Sequence, residues 1–403
     1  MNILFLTLGK LYNLKSSDIY SDLMECFIQH GHQVFIVTPY ERSMGKSTEY
    51  YEEDGAHFLA VKTLNIQKTN IIEKGLGTLL IGWQYKQAIK KYLKDIKVDL
   101  VTYSTPPITL AGVVDYVKAR YGAKSYLQLK DIFPQNALDI GLMSESGLKG
   151  LIYRNFRKKE KELYEVSDFI GCMSSANVQY VLAHNPEISA DKVGVCPNSI
   201  ALRPHPEVDR TAIRQKYGLP TDKPVFLYGG NLGKPQGIDY LISCLKSVSN
   251  RPDCHFLIVG SGTEAHKVDE YLQQEKPANI SIIVFLPKEE YYRVVASCDI
   301  GLIFLDHRFT IPNFPSRLLP YMEYKMPVIC ATDVNTDIKD VVVDNGFGFW
   351  CESRDAVDFD VCVNRMLNSD YIQMGEKGYK YLKSHYLVGN AYELIMKQIN
   401  ISE

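Results

Sequence analysis

The chain has 403 residues, of which 46% are hydrophobic and 23% are charged, as in an ordinary globular protein. Domains usually span roughly 100–200 residues, so the length predicts two domains. The formal net charge of −2 argues against a nucleic-acid-binding protein, because such proteins need a basic surface to neutralise phosphates.

Cysteine usage and hydropathy favour a cytoplasmic protein. Nine cysteines are scattered along the chain without C-x-x-C spacing, which suits a reducing compartment and offers no zinc site. The opening segment MNILFLTLGK leads straight into a strand-like pattern and lacks the features of a signal peptide. No apolar run reaches the ~18–20 residues that a membrane span needs.

In the first half of the chain, short apolar runs alternate with amphipathic helical patterns. This alternation is typical of parallel sheets built from βαβ units. The predicted strands are Ile3–Leu8, Gln33–Thr38, Leu100–Tyr103, Lys124–Leu129 and Phe169–Met173, and the predicted helices include Ser21–His30 and Trp83–Leu93.

The same pattern restarts after Pro197–Arg210, a segment rich in proline and polar residues that we interpret as a linker. The second series of predicted strands is Val225–Tyr228, His255–Val259, Ile280–Phe285, Ile300–Phe304 and Val328–Cys330. We therefore predict an α/β protein with two doubly wound, Rossmann-like domains facing a cleft. Residues 1–200 form one domain, together with a C-terminal helix at about 386–403, and residues 208–385 form the other.

A dinucleotide-dependent oxidoreductase is disfavoured by the loop after the first strand. Such enzymes carry G-x-G-x-x-G at this point, whereas the chain has Thr7-Leu8-Gly9-Lys10-Leu11 with a single glycine.

A glycine-rich loop opens the second half, where YGGNLGKPQG begins at Tyr228. Gly230 allows close backbone approach to an anion, and the N-terminus of the helix that follows favours negative charge. Lys234 adds a positive charge beside it. The pattern predicts a diphosphate cradle, with a turn required only for packing as the alternative.

Three further segments follow predicted strands in the second half. Gly260 and Gly262 form another close-approach loop, and Leu286 lies just past the third strand of the series. Ser316 is predicted to cap a helix whose first turn holds Arg317. The planar guanidinium of Arg317 suits a diphosphate, although a surface salt bridge is the simpler alternative.

In this order, these four segments resemble the donor-binding domain of family-four (group 1) GT-B glycosyltransferases. In the first half, GHQVFIVTP from Gly31, DIFP at Asp131–Pro134 and PNSI at Pro197–Ile200 are similar to that family's motifs. The P-S-R at Pro315–Arg317 is similar to the polysaccharide-biosynthesis subgroup that includes N-acetylfucosaminyl-transferase-like proteins.

The resemblance implies a retaining transferase that uses no metal or other cofactor. It would move a sugar from a nucleoside diphosphate, with UDP as the favoured carrier, to a glycan or lipid-linked glycan in surface polysaccharide assembly such as capsule or O-antigen. Residues 208–385 would bind the donor and residues 1–200 the acceptor. The implied donor-binding residues are Gly230, Asn231, Lys234, Gln236, Gly260, Gly262, Leu286, Ser316 and Arg317.

The chain departs from the family pattern at several positions. Asn231 and Gln236 replace the usual Arg and Lys, and the family's Glu-x7-Glu pair falls on Pro312 and Pro320. The candidate for the missing ribose contact is Glu323, which lies three residues after Pro320.

On the acceptor side, Lys130 replaces a common histidine but Asp131 remains. We predict that Asp131 is catalytic, orienting the acceptor or stabilising positive charge on the sugar. The alternative is that Asp131 caps the following turn.

Asp358-Phe359-Asp360 spells the D-x-D motif of metal-dependent transferases, but these acids lie at the entry to a predicted helix at Val361–Leu367, where the helix dipole favours them. We therefore predict no metal site there. His307, near the proposed donor site, is expected to be solvated.

Two basic segments, Lys68–Lys94 and Lys149–Lys161, interleave cations with apolar residues. Basic amphipathic segments bind anionic membrane surfaces, so we predict peripheral attachment at the inner face of the cell membrane. The alternative is a pair of solvated helix faces over the core.

Two other functions remain open from the sequence. One is an epimerase of GT-B fold acting on a nucleotide sugar. The other is a non-catalytic scaffold that binds sugar nucleotides, which the missing glutamates would favour.

Overall fold

The computed structural model describes residues 1–67, 69–204 and 207–400, with only the backbone of Ile71 and Ile72. The chain divides into two compact units. Unit 1 comprises Met1–Ala201 and Leu387–Glu403, and unit 2 comprises Leu202–Tyr386. The domain limits predicted from the sequence, 200 and 208, both lie within the predicted linker, and the observed division at Ala201/Leu202 falls between them.

Unit 1 contains an eight-stranded sheet of order β3-β4-β2-β1-β5-β6-β7-β8, parallel except for β3. Its strands are β1 (Asn2–Leu6), β2 (Gln33–Glu41), β3 (Glu49–Glu53), β4 (Ala56–Thr63), β5 (Leu100–Ser104), β6 (Lys124–Leu129), β7 (Phe169–Cys172) and β8 (Val193–Val195). Its first helices are α1 (Ile19–Gln29), α2 (Ile71–Tyr92), α3 (Ala111–Tyr121), α4 (Gln135–Asp139), α5 (Gly147–Val166) and α6 (Ser175–His184).

Unit 2 contains a six-stranded sheet of order β11-β10-β9-β12-β13-β14, in which all the pairings are parallel. Its strands are β9 (Val225–Gly229), β10 (His255–Val259), β11 (Ile280–Ile283), β12 (Ile300–Phe304), β13 (Val328–Thr332) and β14 (Gly348–Glu352). Its helices are α7 (Arg210–Lys216), α8 (Ile238–Ser247), α9 (Ala265–Glu275), α10 (Lys288–Ser297), α11 (Leu318–Glu323), α12 (Ile338–Asp344), α13 (Ala356–Leu367) and α14 (Tyr371–His385).

The prediction of two Rossmann-like parallel sheets is confirmed. Central strands are buried on both faces: Ile3, Leu4 and Phe5 of β1 are fully buried, as parallel sheets covered by helices require. The edge strand β3 differs, because its sequence EYYEE is mostly exposed. Charged side chains on an edge strand hinder pairing with another chain.

Helix α15 (Val388–Asn400) belongs to unit 1, although it follows all of unit 2 in the chain. Ala391, Ile395 and Ile399 are buried in the same apolar cluster as β1 and α1. The Tyr392 ring stacks on His30 with 3.9 Å between centroids. From the sequence, this helix was predicted at about 386–403, of which residues 401–403 lie outside the described residues.

In the described part of the chain, no helix combines the length and apolar character needed to cross a membrane.

Candidate functional site

The glycine-rich loop after β9 packs directly on the loop after β10. The Gly230 amide donates to Val259 O (2.9 Å) and the Leu232 amide donates to Ser261 O (2.9 Å). A Cβ on Gly260 would overlap the carbonyl oxygen of Gly230, and one on Gly262 would overlap that of Leu232. These two glycines therefore serve close packing of one backbone on another, which holds the first loop in place.

A side-chain pair closes the first loop on itself. Asn231 Nδ2 donates to Gln236 Oε1 (3.0 Å), and the Gly233 amide donates to the same oxygen (3.3 Å). The two residues that replace the family's cations thus hydrogen-bond to each other and fix the shape of the loop. Gly237, with φ 61°, then turns the chain into α8.

Arg317 stands at the N-cap of α11 with helical backbone angles, and the predicted capping by Ser316 is wrong. Ser316 is exposed. The first amides of the helix are satisfied by backbone carbonyls instead, because Leu318 N donates to Pro315 O (3.2 Å) and Leu319 N to Ser316 O (3.1 Å). Pro320 has no N–H to satisfy, so a side-chain cap has little left to bond.

Two consecutive glycines make room for the groups around Arg317. The Arg317 guanidinium carbon lies 4.8 Å from the centre of the Tyr228 ring. Its Nη2 lies 3.2 Å from where a Cβ on Gly230 would stand, and a Cβ on Gly229 would overlap the Tyr291 hydroxyl. Larger residues at either glycine would displace the guanidinium or the tyrosine.

The Arg317 guanidinium retains hydrogen-bonding capacity. Its Nη1 is buried and, within the described part of the chain, has no hydrogen-bond partner. The hydroxyl of the fully buried Tyr321 accepts from Gly229 N (3.0 Å) and donates to Leu227 O (3.1 Å), which anchors α11 to β9. The structure thus brings together Arg317, Gly230 and the end of β9, as a cradle for an anion requires. The tyrosines had not been predicted.

Lys234 has different surroundings from Arg317. It is exposed and lines a pocket of about 410 Å³ together with Asp239, Asp306 and Arg308. Arg308 is engaged there, because its Nε and Nη2 bond both carboxylate oxygens of Asp306 at 2.8 and 2.7 Å. Arg317 does not line this pocket. His307, beside Asp306, is exposed.

Leu286 and Glu323 have not been placed beside the Arg317 guanidinium by any contact described above. Leu286 is partly buried in the connection between β11 and α10. Glu323 is the last residue of α11, so about 9 Å of helix separates it from the Arg317 end. Their roles as a donor contact and a ribose contact stay predictions.

In unit 1, Asp131 follows β6 and is tightly bonded. Asn136 Nδ2 lies 2.8 Å from both carboxylate oxygens of Asp131. Thr105 Oγ1 accepts from the amides of Lys130 (3.0 Å) and Asp131 (3.1 Å), and it donates to Asp131 O (2.9 Å). The carboxylate is therefore held by Asn136 of α4, while Thr105, just after β5, holds the backbone of Asp131.

Burial raises the pKa of Asp131 to about 6, although the bonds from Asn136 and the Ile132 amide oppose the rise. The acid is thus ionised near neutral pH but protonated in mild acid. The Ile132 bond also fits the turn-capping alternative. Neither Asn136 nor Thr105 had been singled out from the sequence.

The D-x-D acids lie within α13, where Asp360 accepts from Arg251 Nη1 (2.9 Å). Among the described residues, no group of three or more His, Cys, Asp or Glu side chains is arranged to hold a metal ion.

The family comparison matches residues 209–381 to the family described as glycosyl transferases group 1. "Probable glycosyltransferase WbjE" of Pseudomonas aeruginosa is 21% identical over 79% of this chain and 78% of its own length. WcaI of Escherichia coli, named for colanic acid biosynthesis, is 23% identical over 70% of each chain.

Solved structures show the same fold. Sucrose-phosphate synthase from Thermosynechococcus elongatus superposes with a TM-score of 0.76 at 15% identity, covering 100% of both chains. Alr3699/HepE of Anabaena, solved with UDP, gives a TM-score of 0.68 at 14% identity, covering 99% of this chain and 100% of that one. The family match over most of unit 2, these relatives and the two parallel-sheet units of GT-B type together support a glycosyltransferase of group 1.

Proposed function

We propose that the chain moves a sugar from a nucleoside diphosphate, with UDP as carrier, to a hydroxyl of a glycan or lipid-linked glycan in surface polysaccharide assembly. The UDP and UDP-glucose complexes of HepE support this donor class. The name of WcaI, for colanic acid biosynthesis, supports the pathway class.

Arg317 is the observation that carries the donor assignment. A buried guanidinium nitrogen without a partner is costly, and an anion at this place would provide the missing acceptor. Gly230 leaves the backbone beside Arg317 without a side chain. A diphosphate fits both features, because its oxygens accept charge-assisted bonds from a guanidinium.

In the proposed reaction, the bond between the anomeric carbon and the diphosphate oxygen breaks, and the acceptor oxygen bonds to that carbon on the same face. Arg317 stabilises the negative charge that develops on the leaving diphosphate. The acceptor proton passes to the departing diphosphate, while the Asp131 carboxylate orients the acceptor hydroxyl. Arg317 supplies positive charge beside the diphosphate, so we propose that no metal is needed.

Calorimetry with UDP tests the donor site. Arg317→Ala is expected to weaken UDP binding by about 1–3 kcal/mol, or roughly 5–150-fold, as for loss of a charge-assisted hydrogen bond. Arg354→Ala is the matched control, because Arg354 is exposed and pairs with Glu352 in the same unit. Equal UDP affinity in the wild type and Arg317→Ala would refute the assignment.

The product tests the reaction class. Incubation with a panel of UDP-sugars and glycan acceptors in the presence of a chelator should yield a glycoside with the donor's anomeric configuration, read by NMR. Conversion of the donor into a different sugar nucleotide in an assay without acceptor would indicate the epimerase. Binding of UDP without formation of any product would indicate the non-catalytic scaffold.

We also propose that the chain works at an anionic membrane surface, where lipid-linked acceptors are found. The two basic segments correspond largely to α2 and α5, although Lys68 lies outside the described residues.

A further inference from the structure

Helix α2 has two apolar faces, and one of them is exposed. Ile81, Tyr85 and Ile89 are fully buried against unit 1. The opposite face carries Leu76, Leu79, Leu80 and Trp83. Their spacing of i, i+3, i+4 and i+7 is that of a helical stripe which normally packs on a core, yet in the structure this stripe is exposed.

Helix α5 also exposes an apolar stripe, near its N-terminal end. Leu148, Leu151 and Ile152, spaced i, i+3 and i+4, are exposed, while Leu163 and Tyr164 are buried. We call the exposed residues of both helices the apolar face. They are 42–75% exposed, and they are Leu76, Leu79, Leu80, Trp83, Leu148, Leu151 and Ile152.

The two helices adjoin on the surface of unit 1. Both pack on α3, and a pocket of about 270 Å³ is lined by Leu79, Trp83 and Lys86 of α2 and by Lys159 of α5. The depression is therefore lined by apolar and basic side chains of α2 and by the ion pair Lys159–Glu162 of α5 (2.7 Å). Exposed apolar stripes on two neighbouring helices mark a site of interaction with a protein or a membrane.

The charge around the apolar face decides between these partners. Helix α2 contains four lysines and one glutamate, and α5 contains six basic and three acidic residues, in a chain of net charge −2. The glutamate of α2, Glu73, is already paired with Arg42 (2.9 Å). A second copy of the chain would bring two basic surfaces together, because a two-fold interface joins identical patches. An anionic lipid surface complements both the charge and the apolar side chains.

We propose that the apolar face inserts into the interfacial layer of an anionic bilayer, with the surrounding lysines and arginines on lipid phosphates. This deepens the proposed membrane association, because attachment then depends on insertion of named apolar side chains and not on charge alone. Trp83 is suited to the level of the headgroups, where indole rings concentrate.

Trp83 also reports on its own insertion. The chain has two tryptophans, so Trp350→Phe leaves Trp83 as the single fluorophore. Vesicles of phosphatidylglycerol and phosphatidylcholine should shift its emission to the blue, and vesicles of phosphatidylcholine alone should not. An unchanged spectrum on anionic vesicles that do bind the protein would overturn insertion.

Co-sedimentation with the same vesicles tests the apolar contribution. Leu148→Ser with Leu151→Ser is expected to weaken vesicle binding at least tenfold. The matched control is Val357→Ser with Ile372→Ser in unit 2, which removes side chains that are 64% and 71% exposed and should leave vesicle binding unchanged. Equal binding by both double variants would refute the proposal.

Two further measurements separate this inference from its alternatives. Light scattering that gives a dimer, together with no vesicle binding, would indicate a second copy as the occupant and overturn the lipid assignment. UDP affinity, measured on the same preparations, should be normal in both double variants. Arg317→Ala should lose UDP binding and keep vesicle binding. The donor-site proposal and the membrane proposal can therefore be refuted independently of each other.

Discussion

Asp131 in unit 1 and Arg317 in unit 2 are both partly buried charged groups near the carboxyl ends of parallel strands, but their bonding differs. Both oxygens of Asp131 accept from Asn136, and Thr105 bonds its backbone. Arg317 has a buried Nη1 that lacks a partner within the described residues.

The difference indicates two kinds of task. A carboxylate that accepts a hydrogen bond on each oxygen from the protein keeps one orientation, as a group acting on a reacting centre must. A buried donor without a partner is destabilising until a ligand supplies the acceptor. We therefore expect changes at Asp131 to affect turnover, and changes around Arg317 to affect donor affinity.

The largest expected effect is on turnover. Asp131→Asn should lower it about 100–10,000-fold, as for loss of one positioned acid–base group, while UDP affinity stays normal. Asp115→Asn, an exposed change on α3, is the control for a lost charge in the same unit. Wild-type turnover in Asp131→Asn, with a lowered melting temperature, would leave Asp131 as a turn cap and remove the contrast with Arg317.

The next largest effect is expected on the free energy of unfolding, when a side chain is added between the loops that follow β9 and β10. Gly260→Ala would force its Cβ onto the carbonyl oxygen of Gly230, at a cost of about 1–3 kcal/mol in the free energy of unfolding, as for an overpacked site. UDP affinity should fall with it, because the loop beside Arg317 must move. Gly112→Ala in α3, where a Cβ meets no atom within 4 Å, should be tolerated. A Gly260→Ala protein with normal stability and affinity would contradict this account of the loop.

The pH dependence of turnover sharpens the comparison. Because the pKa of Asp131 is about 6, turnover at saturating donor should fall about tenfold per pH unit below 6. Asp131→Asn should lack this fall in turnover below pH 6. An unchanged fall in Asp131→Asn would assign it to another group.

The stability of the fold responds to pH in the opposite direction. The raised pKa of Asp131 favours the folded protein most below pH ~4, and that contribution is lost as pH rises through 6. The loss of activity in mild acid is therefore not caused by a loss of stability from this residue.

The smallest effect is expected at Lys234. Since its side chain is exposed, Lys234→Ala should weaken UDP binding by at most about 1 kcal/mol, and 0.5 M salt should abolish the difference through screening. Calorimetry at two salt concentrations measures this. A loss of UDP affinity equal to that of Arg317→Ala would mean that Lys234 and Arg317 both bind the diphosphate.

The fold followed from the sequence where burial made the pattern strong. The strands β1, β2, β5, β6, β7 and β9 to β13 were predicted because parallel strands covered on both faces are continuous apolar runs, whereas β4, β8 and β14 were not predicted. The strand β3, with its sequence EYYEE, was missed, because an exposed antiparallel edge strand carries no such run. The first half of α2 was also missed, since an apolar stripe on each side of the helix and three interrupting glycines obscure the helical period.

The candidate site was predictable only in part, for a related reason. Gly230 and Arg317 stood out because a glycine in a strand-end loop permits close approach of an anion and an arginine can form paired hydrogen bonds with a diphosphate. The tyrosines that surround Arg317 come from three separate segments, and no local spacing links them. Asn136 lies five residues after Asp131 in DIFPQN, so a search for an amide near a strand-end acid could have found it.

The position of α15 has a consequence for synthesis of the protein on the ribosome. Unit 1 lacks Ala391, Ile395 and Ile399 of its core until the roughly 185 residues of Leu202–Tyr386 have been translated. At about 5–20 residues per second, this takes on the order of 10–40 s. During that interval the surface of α1 and β1 that α15 later covers remains open to chaperones and to neighbouring nascent chains, whereas unit 2, a continuous segment, can fold as soon as it emerges.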